Sequence, residues 1–127
     1  MSTISAIGIV HDDGTVTSIY CHNDGYPSYM LNMLNDNYSE KEKVKELINL
    51  GDLSFVAKYV NPPEGVIHTF DHPYPDVTIA YCRDRGEDYS IHRWTNLNDY
   101  LRNGFMFHGV DYLYWYNDNK WSYLEAD

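Results

Sequence analysis

The segment Tyr20-Cys21-His22-Asn23-Asp24-Gly25-Tyr26-Pro27 constrains this chain more than any other. A strand-like run leads into it. Pro27 then stands where a helix can begin, because the first turn has no use for the N–H that proline lacks. The segment is a strand-to-helix junction, with Asp24 just upstream as the expected acceptor for the free N–H groups of the helix. Gly25 is expected to take a conformation that other residues tolerate poorly, such as positive φ. A thiol, an imidazole, a carboxylate and two phenols crowd the same stretch. It therefore reads either as a working site or as an exacting cap.

Around this junction the rest of the chain falls into elements. Ser5 to Val10 reads as a strand, His11-Asp12-Asp13-Gly14 as a turn and Thr15 to Cys21 as the returning strand of a hairpin. Beyond Pro27, Met30, Leu31, Leu34 and Tyr38 recur at three- and four-residue steps and form one helical stripe. Ser39-Glu40-Lys41-Glu42 has the form of a capping box for a second helix, with Val44, Leu47 and Ile48 inward and Gly51 at its end. Lys41, Lys43 and Lys45 alternate with Glu40, Glu42 and Glu46, as a solvated outer face does.

Leu53, Phe55 and Val56 read as a short turn of helix, and Asn61 to Gly65 and His72 to Pro75 as loops. Val77 to Cys82 reads as a strand joined through the charged loop Arg83 to Asp88 to a partner, Tyr89 to Trp94. Asn96 is placed to cap a third helix, Leu97 to Asn103, that Gly104 ends. A last hairpin pairs Val110–Tyr116 with Lys120–Leu124 across Asn117-Asp118-Asn119. The sum is a single α+β domain over residues 1–127: an antiparallel sheet of about six strands with two to three helices mainly on one face.

Composition narrows the function classes. The net charge is −10, from 19 acidic and 9 basic residues, which repels phosphate backbones and argues against direct nucleic-acid binding. The same charge suits the basic surface of a protein partner. Apolar stretches such as Ala6 to Val10 are too short to span a bilayer, and Met1-Ser2-Thr3 does not open a secretory signal. No membrane contact is expected, and the expected location is cytoplasmic. Cys21 and Cys82 then read as reduced, buried thiols.

Cys21 and His22 are consecutive strand residues and point to opposite faces, so they do not form a nucleophile–base pair. His22 and Asp24 share a side if the strand continues, and a carboxylate orients a histidine for acid–base work. The pair equally fits a cap and a hydrogen-bonded turn. Six histidines are present, but Pro73 and Pro75 break the only helical spacing, His68 to His72, so no metal and no cofactor is expected. No phosphate-binding glycine loop occurs. Arg83-Asp84-Arg85-Gly86-Glu87 either pairs with itself or sends an arginine to the Asp24 end of the sheet. In the second case a polar pocket closes with His22, Tyr26 and Asp84. In the last hairpin Tyr112, Tyr114 and Tyr116 share a face near Trp121 and Tyr123, as interface anchors or as core. The candidate binding residues are thus Tyr20, His22, Asp24, Tyr26, Arg83, Asp84, Arg85, Tyr112, Tyr114 and Trp121.

Three runs carry a resemblance: Gly14 to Pro27, Lys43 to Ser54 and Tyr81 to Glu87. In combination they resemble small proteins carried by bacteriophages and prophages, over roughly residues 6 to 90. That family usually has Trp where this chain has Asn23. No catalytic role comes with the resemblance. It implies an accessory protein of a mobile element, acting on host machinery or defence in the host cytoplasm. Two main readings result. One is a non-enzymatic protein that binds a host protein, such as a nucleic-acid-binding defence protein, through acidic and aromatic surface and inhibits it. The other is a small-molecule or nucleotide pocket, for sequestration or hydrolysis, built on His22, Asp24 and Arg83. A structural virion component is a third, and oligomeric state stays open.

Overall fold

Strand β1 (Ser5–Val10) is buried along nearly its whole length, and both of its faces are covered. In the computed structural model, which describes residues 2–127, it lies inside a seven-stranded mixed sheet. The other elements, in chain order, are β2 (Val16–Cys21), α1 (Pro27–Asn37), α2 (Lys41–Ile48), β3 (Leu53–Phe55), β4 (Ile79–Ala80), α3 (Tyr81–Arg85), β5 (His92–Trp94), α4 (Leu97–His108), β6 (Tyr112–Asn117) and β7 (Lys120–Glu125). The strand order is β4-β3-β2-β1-β6-β7, with β5 also pairing β2. The class is α+β.

Alternation along β1 decides which layer packs where. Ile7 and Ile9 join Ile19, Tyr114 and Tyr116 against Met30 and Leu34 of α1 and Val44, Leu47 and Ile48 of α2. Ala6, Val16 and Leu113 face the other way, with Trp94 and Tyr100. A Cβ on Gly8 would lie 3.3 Å from the Tyr100 ring, so glycine at this point lets α4 lie close on the sheet. The longest helix thus covers the face opposite α1 and α2.

The sheet is not purely antiparallel. β1 runs antiparallel to β2 but parallel to β6, in the register Ser5↔Tyr112 to Ile9↔Tyr116. β2 and β3 are parallel too. Leu53–Phe55 is a strand rather than a turn of helix, because it fills the edge of β2 beyond Cys21. The Val77–Cys82 run keeps only Ile79–Ala80 as strand: the Asp84 carboxylate accepts the Ala80 N–H at 2.8 Å and turns the chain into α3. Tyr89–Trp94 is therefore left without its expected partner, and His92–Trp94 pairs with β2 instead.

Helix ends obey local chemistry. The Asn96 side chain accepts the Asp99 N–H at 2.9 Å, the expected cap of α4. That helix runs through Gly104, which is buried against Leu113 and Tyr100, and stops at Gly109, where φ is 69°. The capping box at Ser39 does not form: the Ser39 carbonyl takes the Tyr116 hydroxyl at 2.7 Å, and Glu40 becomes the N-cap without a side-chain bond. Asp118 and Asn119, at φ 51° and 60°, make the tight turn between β6 and β7.

At the junction, positive φ falls on Asp24 (54°), not on Gly25. Gly25 is required for space. A Cβ there would lie 2.7 Å from Ser5 Cβ and Oγ and 2.9 Å from the Thr3 carbonyl. Gly25→Ala should lower stability by about 1–3 kcal/mol in denaturant melts, as overpacking does. Ser5→Ala should be close to neutral, since the buried Ser5 hydroxyl has no hydrogen-bond partner.

A buried polar chain fastens α4 to the sheet. The Trp94 indole N–H donates to Ser18 Oγ at 2.8 Å, which leaves the hydroxyl to donate to His108 Nε2 at 2.8 Å. Burial, with His92 nearby, depresses the His108 imidazole to about 4. The unfolded chain therefore takes up that proton first. Stability tied to His108 is present above about pH 6.5 and falls as pH drops toward 4, by up to about 3 kcal/mol. Unfolding free energies measured across that window should slope less steeply in His108→Gln.

Candidate functional site

Strand β2 ends at Cys21, and the residues just beyond it are tied to the neighbouring chain. The Asn23 amide donates to the Ser54 carbonyl at 2.9 Å and to Ser54 Oγ at 3.1 Å, and Ser2 Oγ donates to Asn23 Oδ1 at 2.7 Å. Cys21 is fully buried, and burial pushes its thiol up to about 12. A thiol held protonated at neutral pH is no nucleophile. His22 is exposed, and its Nδ1 lies 2.8 Å from the Tyr20 hydroxyl rather than against Asp24. Asp24 does not cap α1. Its positive φ turns the chain, and the N-cap is Tyr26, without a side-chain bond.

Arg83 is occupied elsewhere. Its guanidinium donates to both Asp84 oxygens at 2.8 and 3.0 Å, to the Val60 and Thr78 carbonyls at 2.7 Å each, and to Asn61 Oδ1 at 3.1 Å. None of these partners lies in the Tyr20–Pro27 segment, so the expected pocket between Arg83 and Asp24 does not close. Burial raises the Asp84 carboxyl, but hydrogen bonds from Arg83 and the Ala80 N–H outweigh it and hold the group below the usual carboxylate value.

His68 completes this knot. Its Nδ1 accepts the Tyr74 N–H at 2.9 Å, so the ring proton sits on Nε2 and points to Asp84 Oδ2 at 3.2 Å. The side chains of His68 and Asp84 are each 2% exposed. This arrangement binds the 60–78 segment to α3. Arg85 pairs with Glu87 at 3.1 Å and lies over the Phe70 ring, which is the self-pairing reading of that motif.

The aromatic hairpin is mostly core. Tyr114 is 0% exposed with its hydroxyl on the Gly25 carbonyl at 2.7 Å, and the Trp121 indole donates to the Tyr38 carbonyl at 2.8 Å. Neither can serve as a surface anchor, because Tyr114 on β6 and Trp121 on β7 both lie inside the larger core. Tyr112 is half-buried between Tyr114 and Tyr123.

Surface apolar groups stand elsewhere. Met106 is 91% exposed at the end of α4, and Leu124 is 42% exposed on β7. With Phe105 they line a shallow depression bordered by Glu125 and Asp127. Asp111 and Glu125 line the adjoining depression. One sequence signal marks the place: Phe105-Met106-Phe107 puts three large apolar residues in succession, and one helical stripe cannot bury all three.

Among the described residues, no group of three His, Cys, Asp or Glu side chains is placed to hold a metal ion. Among those residues, too, no helix is long and apolar enough to cross a membrane. Comparison with protein-family models, curated proteins and solved structures finds no match to this chain.

Labelling of the native protein with a thiol reagent should modify Cys82, which is half-buried, and spare Cys21 until the chain is denatured. Rapid native modification of Cys21 would contradict the burial described.

Proposed function

We propose that the chain is a non-enzymatic binding protein that engages a basic host protein through the surface around Met106 and Leu124. The carrying observation is the coincidence there of exposed apolar side chains with the carboxylates of Asp111, Glu125 and Asp127. Apolar side chains at the centre of an interface supply most of its energy, and a charged margin sets partner choice and encounter rate. The net charge of −10 extends the same field over the whole molecule. Internal use of Cys21, Arg83, Asp84 and His68 supports the non-enzymatic part of the reading. The resemblance to phage and prophage proteins supports a mobile-element context, with inhibition of a host defence protein as its purpose.

Affinity capture from host lysate supplies the partner, and kinetics with the purified partner supply the test. Association should slow as ionic strength rises beyond ~0.1 M, where charges are screened over about 10 Å. Asp111→Lys and Glu125→Lys should slow association further. Met106→Ala and Leu124→Ala should speed dissociation, by about tenfold for each 1.4 kcal/mol of binding free energy removed. Association insensitive to salt, or binding abolished in a folded His22→Ala protein and kept in Met106→Ala, would overturn the proposal.

A further inference from the structure

A second surface feature runs against the overall charge. At the turn end of the first hairpin, a cleft of about 260 Å³ lies between α2 and the strands β1, β2 and β5. Its floor is apolar: Ile9 and Ile48 are buried and Ile91 is half-buried. Two cations, Lys45 and Arg93, line its walls, together with Thr17 and Asn49. Thr17 and Arg93 are opposed residues of β2 and β5, so they share one face of the sheet.

Among the described residues, Lys45 and Arg93 lack a close ion pair, a condition that Lys58, Arg102 and Lys120 share, but these two stand at one cleft. Lys41 pairs with Asp12 at 2.7 Å, Lys43 donates to the Lys58 carbonyl at 3.0 Å, Arg83 is spent in the knot with Asp84, and Arg85 pairs with Glu87. Lys45 lies 3.8 Å from Glu42, beyond hydrogen-bond distance, and that carboxylate is largely solvated. Among the described residues, Arg93 takes part in none of the ion pairs. In a chain with 19 acidic and 9 basic residues, two cations without close partners converge on one concavity. A phosphate group accepts hydrogen bonds from both kinds of side chain, and arginine engages it through two parallel bonds.

The geometry points to a binding site for a small organic phosphate monoester. Its oxyanion would lie between Lys45 and Arg93, and an apolar body of roughly ring size would cover Ile91 and Ile48. The volume sets the size. Pockets for drug-sized ligands measure about 300–1,000 Å³, so this cleft suits a phosphate with one ring better than a dinucleotide. His11 completes one wall, with its Nε2 2.7 Å from Thr17 Oγ1. Two features oppose an anion: the C-terminal carbonyls of α2, which ends here, and the Asp13 carboxylate, which also lines the cleft. Asp13 Oδ1 is taken by the N–H and hydroxyl of Thr15 at 3.0 and 2.6 Å, and Glu42 lies outside the lining, 3.8 Å from Lys45. This site lies apart from the Met106 surface and does not depend on the protein-binding proposal.

The test uses the full chain with phenyl phosphate, inorganic phosphate and phenol as separate probes, read by amide chemical-shift titration. Phenyl phosphate should shift Thr17, Asn49 and Arg93 and bind several-fold tighter than inorganic phosphate, and phenol alone should bind more weakly than phenyl phosphate. Arg93→Gln and Lys45→Gln should each weaken phenyl phosphate by about tenfold or more, as removing a charge-assisted bond does. Asp13→Asn should tighten it, and Arg102→Gln, a control outside the cleft, should leave it unchanged. All of these variants are at solvent-facing positions, and their unchanged spectra away from the cleft report that they fold. Absence of saturable shifts, shifts centred elsewhere, or equal affinity in wild type and Arg93→Gln would overturn the proposal.

Discussion

The parallel pairing of β1 with β6 is the constraint on which the rest of the structure depends. It joins the first strand to one near the end of the chain, so the intervening strands extend the sheet on the far side of β1 and the helices between them lie on one face or the other. α1 and α2 take one face and α4 takes the other. Because β1 has neighbours on both edges and layers on both faces, its residues alternate between two cores. Isoleucines fill the larger one, and Ala6 and Gly8 admit the close approach of α4. The strand-to-helix junction depends on the same pairing. Tyr114 of β6 reaches the Gly25 carbonyl, and Ser5 of β1 leaves no room for a side chain on Gly25.

Tyrosine explains how so acidic a chain fills two cores. Tyr38, Tyr100 and Tyr114 are among the largest fully buried side chains, and each directs its hydroxyl to a backbone carbonyl. Their acceptors are Ala57 at 2.6 Å, Tyr114 at 3.0 Å and Gly25 at 2.7 Å. A buried phenol so paired contributes aromatic volume and satisfies a carbonyl that would otherwise be stranded. The 13 tyrosines are therefore spread between core packing and surface, and their number alone says little about an interface. The same internal use holds for the Arg83–Asp84–His68 knot. Groups that suggest chemistry when read singly serve instead to hold the 60–78 segment to α3.

Local signals in the sequence carry much of the fold. The first hairpin, the stripe of α1, the inward face of α2, the Asn96 cap and the last hairpin all lie within reach of short-range periodicity and turn chemistry. The features that escape such signals are non-local. Pairing of β5 with β2 and of β6 with β1 joins residues far apart in the chain, and no local pattern encodes direction or order for them. Gly104 reads as a helix stop because burial against Leu113 is invisible in sequence. For the candidate sites, Arg83 and Asp84 are recognisable as a pair, but His68 and the carbonyls of Val60 and Thr78 are not. The Phe105-Met106-Phe107 run is legible as a surplus of apolar residues on one turn of a helix, whereas its meeting with Leu124 and Glu125 depends on the β6–β7 hairpin.

The proposed partner surface is the α4 end and the β7 tail, with the Tyr20–Pro27 junction left free. Hydrogen exchange of the protein alone and in complex with its captured partner tests this most directly. Added protection should concentrate over residues 105–111 and 123–127, with residues 20–26 unchanged. Protection confined to residues 20–26 and 83–85, with the α4 end exchanging as in the free protein, would contradict it.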